Sequence, residues 1–353
     1  MTHLETLDAT RLGREATQLE SSLRKRIVGQ DEAIEGIINV YQTFLAGMTI
    51  PGRPAGSFLF LGPTGSGKTR TVEALAESLV GDARAVVKID CAEYQHGHEI
   101  AKLVGSPPGY LGHRETQPLL SQQALDRYHT ERLKLSFVLF DEIEKGSDTL
   151  WKLLLGILDK ASLTLGDNRA VDFSRSMIFM TSNLGAQEMS SLLRPGFGFN
   201  KEQPRVDEKL GTKLARAGTE AARRKFTPEF MNRIDRVVTF KALGVSELRQ
   251  VLGMELDLVQ DRVAAALGAN AVTLTVTERA RDFLLAEGTD QRYGARHLKR
   301  AVERLVVHPF SNLIATHQIL EHDTIVADLP RNRRELVFQR VADKPAAAFA
   351  AAA

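Results

Sequence analysis

Cysteine pairs, an excess of one charge sign and long apolar runs are all missing from this sequence of 353 residues. Its one cysteine, Cys91, excludes a disulfide framework and a cysteine-based zinc site, and fits a reducing compartment. The 46 Lys and Arg residues nearly balance the 44 Asp and Glu residues, so no global basic field points to nucleic acid. No apolar run approaches about 18 residues and the N-terminus shows no signal pattern, so we expect a soluble cytoplasmic protein without membrane contact.

The sequence does contain a complete phosphate-loop motif, G-x-x-x-x-G-K-T, at positions 62–69. A short apolar run at 57–61 precedes it and predicts a buried strand. Apolar residues then recur at helical spacing, at Val72, Leu75, Ala76 and Leu79. A strand, a glycine loop and a helix in this order turn backbone N–H groups and a helix N-terminus toward a triphosphate.

We therefore predict a nucleoside triphosphate site in which Lys68 reaches the β- and γ-phosphates and the Thr69 hydroxyl binds Mg²⁺. The residues assigned to this loop are Gly62, Pro63, Thr64, Gly65, Ser66, Gly67, Lys68 and Thr69.

Two more apolar runs, at 136–140 and 176–180, end in polar residues. Because ligands sit at the carboxyl ends of strands in parallel sheets, these residues are candidates for the same site. Asp141 is predicted to bind the Mg²⁺ shell, and Glu142 to orient or deprotonate the attacking water. Asn183 is predicted to bridge the γ-phosphate and that water.

The order of these motifs resembles an AAA+ ATPase of the Clp family, with the second ATPase ring of the ClpA, ClpB and ClpC proteins as the most similar part. The resemblance covers about residues 20–335. It rests on the letters IVGQ at 27–30, GPTGSGKT at 62–69, FVLFDE at 137–142, TSNLG at 181–185, FTPEFMNRID at 226–235 and GARHLKR at 294–300.

The resemblance implies ATP and Mg²⁺ as cofactors and assigns further roles. Ile27 and Val28 would line the adenine pocket. Arg233 would be an arginine finger donated to the nucleotide of a neighbouring subunit, and Arg296 a sensor of the γ-phosphate. A guanidinium fork suits phosphate oxygens and keeps its proton, in line with both roles.

A second resemblance concerns the segment GSPPGYLG at 105–112. Its prolines and glycines preclude regular structure and place one aromatic residue, Tyr110, at the tip of a stiff loop. It resembles the central-pore loop of Clp unfoldases, whose tyrosines grip a polypeptide substrate. The residues at 166–173 would form a second loop facing the pore, or a plain hairpin turn. The sequence departs from the family at 113–117, which bears on substrate preference.

The pattern of elements predicts an α/β fold, a P-loop NTPase (AAA+) with helices on both faces of a parallel sheet, followed by a small α+β lid domain. We expect an N-terminal helical extension at 1–25, a large ATPase domain at 26–240, a lid at 241–340 and a disordered alanine-rich tail at 341–353. Sheet strands are predicted at 57–61, 85–90, 136–140, 176–181 and 236–240, and lid strands at 272–276, 324–328 and 335–338.

The function that the resemblance implies is an ATP-driven unfoldase or remodelling chaperone, threading unfolded or tagged proteins through a homo-hexameric ring. One alternative is a motor docked on a compartmental peptidase, because the loop at 195–200 loosely resembles a peptidase-docking tripeptide. The same residues are also compatible with an ordinary surface loop. Another alternative is a nucleic-acid-remodelling ATPase, but the basic stretch at 201–225 also carries acids and predicts a solvated helix. A nucleotide-gated scaffold like the torsins is disfavoured by the aromatic loop and the intact site residues. An adaptor remains a possible partner.

Overall fold

The computed structural model describes residues 7–106, 118–193, 208–268, 272–289 and 294–341. Two compact units divide the chain, Met1–Ala242 and Leu243–Ala353. The predicted pore-loop residue Tyr110, the loop at 195–200 and the predicted tail from 342 onward lie outside the described residues.

The first unit is built on a five-stranded parallel sheet with the order β2-β3-β6-β1-β7. Its strands follow the sequence prediction to within two residues at each end: β1 Gly56–Leu61, β2 Val87–Asp90, β3 Ser136–Asp141, β6 Ser176–Ser182 and β7 Arg236–Thr239. The order sets β1, β3 and β6 side by side, with Leu61 opposite Ser182 and Phe140 opposite Met180. The carboxyl ends of these three strands therefore meet.

Alternating side chains of the central strands fill two separate cores, one on each face of the sheet. Leu59, Val138 and Ile178 point into one core, and Phe58, Phe137 and Phe179 into the other. The Phe58 and Phe179 rings stack with centroids 5.0 Å apart. The helices of this unit are α1 Arg14–Arg26, α2 Asp31–Leu45, α3 Lys68–Val80, α4 Ala101–Val104, α5 Gln122–Asp126, α6 Asp148–Lys160, α7 Ala186–Leu193, α8 Glu208–Lys225 and α9 Pro228–Met231.

The N-terminal helix differs from the expected extension at 1–25. It begins at Arg14, after Gly13 in an extended conformation, and ends at Arg26. Leu7 is 82% exposed, whereas Leu19 and Leu23 are buried in the core beside α2 and α3. The apolar spacing from Leu19 onward makes this helix part of the first unit.

The residues at 166–173 contain the turn and the second strand of a hairpin, and the predicted position facing the pore stays a prediction. Strand β4 (Ser162–Thr164) pairs antiparallel with β5 (Ala170–Asp172). The Gly166 N–H donates to the Val104 carbonyl at 2.8 Å, and a Cβ on Gly166 would lie 2.5 Å from the Gly105 carbonyl oxygen. The hairpin therefore rests against the start of the predicted pore loop.

The second unit has the predicted α+β character. Its three-stranded sheet has the order β10-β9-β8, from β8 Thr273–Val276, β9 Thr324–Asp328 and β10 Val337–Arg340. Its helices are α10 Val245–Leu267, α11 Glu278–Gly288, α12 Ala295–Val302 and α13 His308–Ala315, with a π-helical turn at Glu303–Val307. In the described ranges, no helix combines the length and apolar character that would let it cross a membrane.

Candidate functional site

The phosphate loop lies where the sequence places it, between β1 and α3. Gly62 and Gly67 have positive φ values of +146° and +100°, which L-residues with side chains rarely adopt. A Cβ on Gly62 would lie 2.5 Å from the Phe240 carbonyl oxygen, so the loop leaves the strand in contact with the segment after β7. Gly67 directly precedes α3, and the loop runs into the helix N-terminus.

Lys68 and Asn183 meet across this loop. The buried Lys68 Nζ donates to the Gly62 carbonyl at 2.7 Å, to the Pro63 carbonyl at 2.9 Å and to Asn183 Oδ1 at 3.0 Å. Thr64 Oγ1 lies 3.4 Å from the same Asn183 oxygen. Two residues 115 positions apart in the sequence thus share one polar cluster, because β1 and β6 are neighbours.

The residues predicted to hold Mg²⁺ also converge. Thr69 Oγ1 lies 3.3 Å from both carboxylate oxygens of Asp141, and Lys88 Nζ lies 3.5 Å from Asp141 Oδ2. A hydroxyl beside a carboxylate is the hard-oxygen donor set that Mg²⁺ prefers, completed by phosphate oxygens and water. No cluster of three or more acidic, His or Cys side chains poised for a metal occurs within the described ranges. The Thr69 hydroxyl and the Asp141 carboxylate fit a magnesium ion whose other ligands are phosphate oxygens and water.

Glu142 faces the same cluster from the end of β3. Asn183 Nδ2 donates to Glu142 Oε1 at 3.2 Å, and Lys145 forms an ion pair with the other carboxylate oxygen. The Glu142 backbone is left-handed, with φ +56°, and its N–H donates to Thr181 Oγ1 at 3.0 Å. Lys68, Asn183 and Glu142 thus form a continuous hydrogen-bonded line from the phosphate loop to the predicted base.

Two residues that the sequence analysis did not single out organise this line. Thr181 donates its hydroxyl to Asp141 and accepts the Glu142 N–H, so one side chain fixes both acids. Glu144 Oε1 accepts the backbone N–H of Asn183 at 3.0 Å. Thr181 is the first residue of the TSNLG motif, and Glu144 lies two positions after the predicted Glu142, so both positions carry a signal in the sequence.

Arg233 is held at the opposite end of β1. Ser57 Oγ donates to the Arg233 carbonyl at 3.2 Å, and Asp235 Oδ2 accepts from the Ser57 N–H at 2.8 Å and from its hydroxyl at 2.7 Å. The Arg233 guanidinium forms an ion pair with Asp159 on α6, with Nε 3.1 Å from Oδ1. Ser57 and Gly62 are five positions apart along β1 and the residue that follows it, a distance of about 16 Å.

The remaining predicted nucleotide-site residues are Ile27 and Val28 in the first unit and Arg296 in the second. Ile27 is buried and Val28 half-buried in the turn between α1 and α2. Arg296 is exposed in the first turn of α12 in the second unit. Their roles, and that of Tyr110, stay predictions.

Comparison with known proteins places this geometry in a family. The family model described as AAA domain (Cdc48 subfamily) matches residues 53–237, which hold the sheet and the whole polar cluster. The chain belongs to this AAA family. A second family model, for the C-terminal, D2-small domain of ClpB protein, matches residues 243–327. Membership implies that the site binds a nucleotide, and the order of the two domains confirms the resemblance to the Clp family.

The relatives agree with this assignment. The chaperone protein ClpB of Bdellovibrio bacteriovorus is 40% identical over 307 residues, which cover 87% of this chain and 33% of that protein. The ATP-dependent Clp protease ATP-binding subunit ClpC of Staphylococcus aureus is 36% identical, over 88% of this chain and 36% of its own. This AAA chain therefore spans about a third of the length of the curated relatives that it matches.

Among solved structures, the chain is similar to the closed state of Hsp104 determined by cryo-EM with ATPyS and FITC casein. The TM-score is 0.76 at 28% identity, covering 92% of this chain and 52% of that one. The predicted P-loop NTPase fold is thereby confirmed.

Proposed function

We propose that this chain hydrolyses ATP at the cluster formed by Lys68, Asp141, Glu142 and Asn183. The observation that carries the proposal is the continuous contact from Lys68 through Asn183 to Glu142, beside the Thr69–Asp141 pair. A phosphate-binding cation, a carboxylate next to a metal-binding hydroxyl, and a second carboxylate reached through an amide are the parts that phosphoryl transfer to water requires.

Each residue has a defined task in that reaction. Bound Mg²⁺–ATP supplies the γ-phosphoryl group and a metal ion that neutralises its charge. Lys68 and the loop N–H groups hold the phosphates, and Thr69 and Asp141 hold the ion. The Glu142 carboxylate accepts a hydrogen bond from the attacking water and orients it, with Asn183 fixing the carboxylate. Positioning and charge stabilisation account for most of the catalysis.

We infer that Arg233 completes the site of a neighbouring copy. Ser57, which binds the Arg233 carbonyl, lies about 16 Å along β1 from Gly62, where the phosphate loop of the same chain begins. An arginine supplied from a neighbour stabilises the charge of the transition state and is worth about 10³–10⁵ in rate. This role requires an oligomer, and we propose the homo-hexameric ring that the resemblance implies.

The work done by this ring is proposed to be the unfolding or remodelling of polypeptides. A relative is named a chaperone, and the similar Hsp104 structure contains FITC casein. The β4–β5 hairpin supports this assignment, since it contacts the segment from which the predicted Tyr110 loop starts. Unfolded proteins in the cytoplasm are the proposed substrates.

Two alternative functions predict different partners for this chain. A motor docked on a peptidase is favoured by the name of the ClpC relative, and it differs from the leading proposal only in its partner. A nucleic-acid-remodelling role has less support. Arg216 and Arg224 on α8 are paired with Glu220 and Glu188, so these two arginines do not form a free basic face.

The test is steady-state ATP hydrolysis with and without casein as an unfolded substrate. We expect casein to stimulate the wild-type protein, and Tyr110→Ala to lose the stimulation while it keeps basal hydrolysis, because Tyr110 is not among the residues proposed to act on ATP. Glu142→Gln is the catalytic control and should abolish hydrolysis in both conditions. Stimulation by DNA instead of casein, or by neither polymer, would contradict the threading proposal.

A further inference from the structure

Gln30 is a buried glutamine whose side chain joins three distant segments of the first unit. It is 4% exposed. Its Nε2 donates to the Ser66 carbonyl at 3.1 Å and to the Lys241 carbonyl at 2.9 Å, and its Oε1 accepts the Lys241 N–H at 3.1 Å. One amide thus satisfies both backbone groups of Lys241 and holds the last turn of the phosphate loop.

These contacts fasten the phosphate loop at both ends to one segment. At its start, Gly62 lies against the Phe240 carbonyl, and Phe240 in turn donates its N–H to Leu61 at 2.7 Å. At its end, Ser66 reaches Lys241 through Gln30. The loop therefore cannot shift relative to residues 240–241 without breaking a buried hydrogen bond, which carries a desolvation cost.

Gln30 also lies close in the sequence to Ile27 and Val28, the base-binding segment, which is predicted to line the adenine pocket. Only Gly29 separates it from Val28, and the Gln30 carbonyl accepts the N–H groups of Ala33 and Ile34 at the start of α2. A ligand held at two points gains the benefit of the second contact only if the points are kept at the right separation. In this chain, the Gln30 side chain hydrogen-bonds the segment that follows Val28 directly to the phosphate loop.

We propose that Gln30 is a positioning residue that sets the spacing between the base-binding segment and the phosphate loop, and so gives a nucleoside triphosphate its advantage over an inorganic triphosphate. Gln30 touches no reacting atom and acts through Ser66. The proposal rests on the proposed nucleotide function and adds to it a residue that keeps the two binding segments at a fixed spacing.

Gln260 in the second unit provides a matched control. Its side chain also bridges backbone groups, donating to the Val272 carbonyl at 2.9 Å and accepting the Leu274 N–H at 2.8 Å. Gln260→Ala therefore removes similar hydrogen bonds from a strand outside the phosphate-loop segment.

The experiment is calorimetric titration of the full chain with Mg²⁺–ATP and with inorganic tripolyphosphate, together with a thermal melt. For Gln30→Ala, we expect the Kd for ATP to rise about tenfold and the ratio of the tripolyphosphate Kd to the ATP Kd to fall. Gln260→Ala should lower the melting temperature and leave both Kd values unchanged. If Gln30→Ala does not fold, Gln30→Met serves instead, since it keeps a similar side-chain volume and loses the hydrogen bonds to Ser66 and Lys241.

A lower melting temperature for the Gln30 variants with an unchanged Kd ratio would show a merely structural role and overturn this inference alone. Failure of the wild-type protein to bind ATP more tightly than tripolyphosphate would overturn it together with the proposed nucleotide function.

Discussion

At the scale of single residues, Glu142 shows how backbone strain serves the site. A non-glycine residue with φ +56° carries a cost of about 1–2 kcal/mol, which its surroundings must offset. Here the Thr181 hydroxyl accepts the Glu142 N–H, and Lys145 and Asn183 hold the carboxylate. The left-handed turn ends β3 abruptly and directs the acid toward Asn183.

Cys91 leads us to predict how the stability of the protein depends on pH. The thiol is fully buried, and burial, followed by the charges of Asp141 and Asp90, raises its pKa above the ordinary 9.0. Below pH 9 the thiol is protonated in both the folded and the unfolded chain, so it adds no pH dependence. Above pH 9 only the unfolded chain loses the proton, so the stability falls by up to about 1.4 kcal/mol per pH unit.

Urea unfolding of the wild-type protein and of Cys91→Ala, at pH 7, 9 and 10, measures this contribution. The stability advantage of the wild-type protein should be largest at pH 7, slightly smaller at pH 9 and smaller still at pH 10. An advantage that stays constant up to pH 10 would show that the thiol ionises in the folded protein.

At the scale of elements, the phosphate loop depends on β7 as much as on β1 and α3. The loop begins at Gly62, in contact with the carbonyl of Phe240, whose ring packs on Phe60 with centroids 4.8 Å apart. A strand at the edge of the sheet thereby supports a loop that begins 178 positions earlier in the chain.

Gly62→Ala tests this contact, with Gly81→Ala as its control. Both glycines have positive φ values, but a Cβ on Gly81, at the end of α3, would meet nothing within 4 Å. We expect both variants to lose about 1–2 kcal/mol of stability from backbone strain. Gly62→Ala should lose about 1–3 kcal/mol more because its Cβ collides with a carbonyl oxygen. Equal midpoints in urea unfolding would argue against the contact.

At the scale of the whole molecule, the proposed site needs two copies of the chain. Arg233 is anchored through Ser57 and Asp235 at one end of β1, while the phosphate loop leaves the other end. The Asp159 ion pair holds the guanidinium at that end.

Mixing two inactive variants tests this division. Arg233→Ala and Lys68→Ala should each lower the ATPase rate by about 10³ or more on their own. Mixed, they should recover measurable activity, because a Lys68→Ala subunit can donate Arg233 to the intact phosphate loop of its neighbour. A subunit carrying both changes is the control, and it should rescue neither partner. Recovery with the double variant, or no recovery in any mixture, would refute a finger acting between copies.

The sequence by itself determined the strands, the phosphate loop and the acids and amide at the strand ends. Each of these features depends on a short stretch in which an apolar run ends in a few polar residues. Such a stretch can be recognised in the sequence without knowing the fold. Only the tertiary structure decided which ordinary residues support them. Gln30 with Lys241 and Ser57 with Asp235 are pairs separated by 211 and 178 positions. Glutamine, serine and aspartate have many possible hydrogen-bond partners, and only the packing of distant segments selects among them.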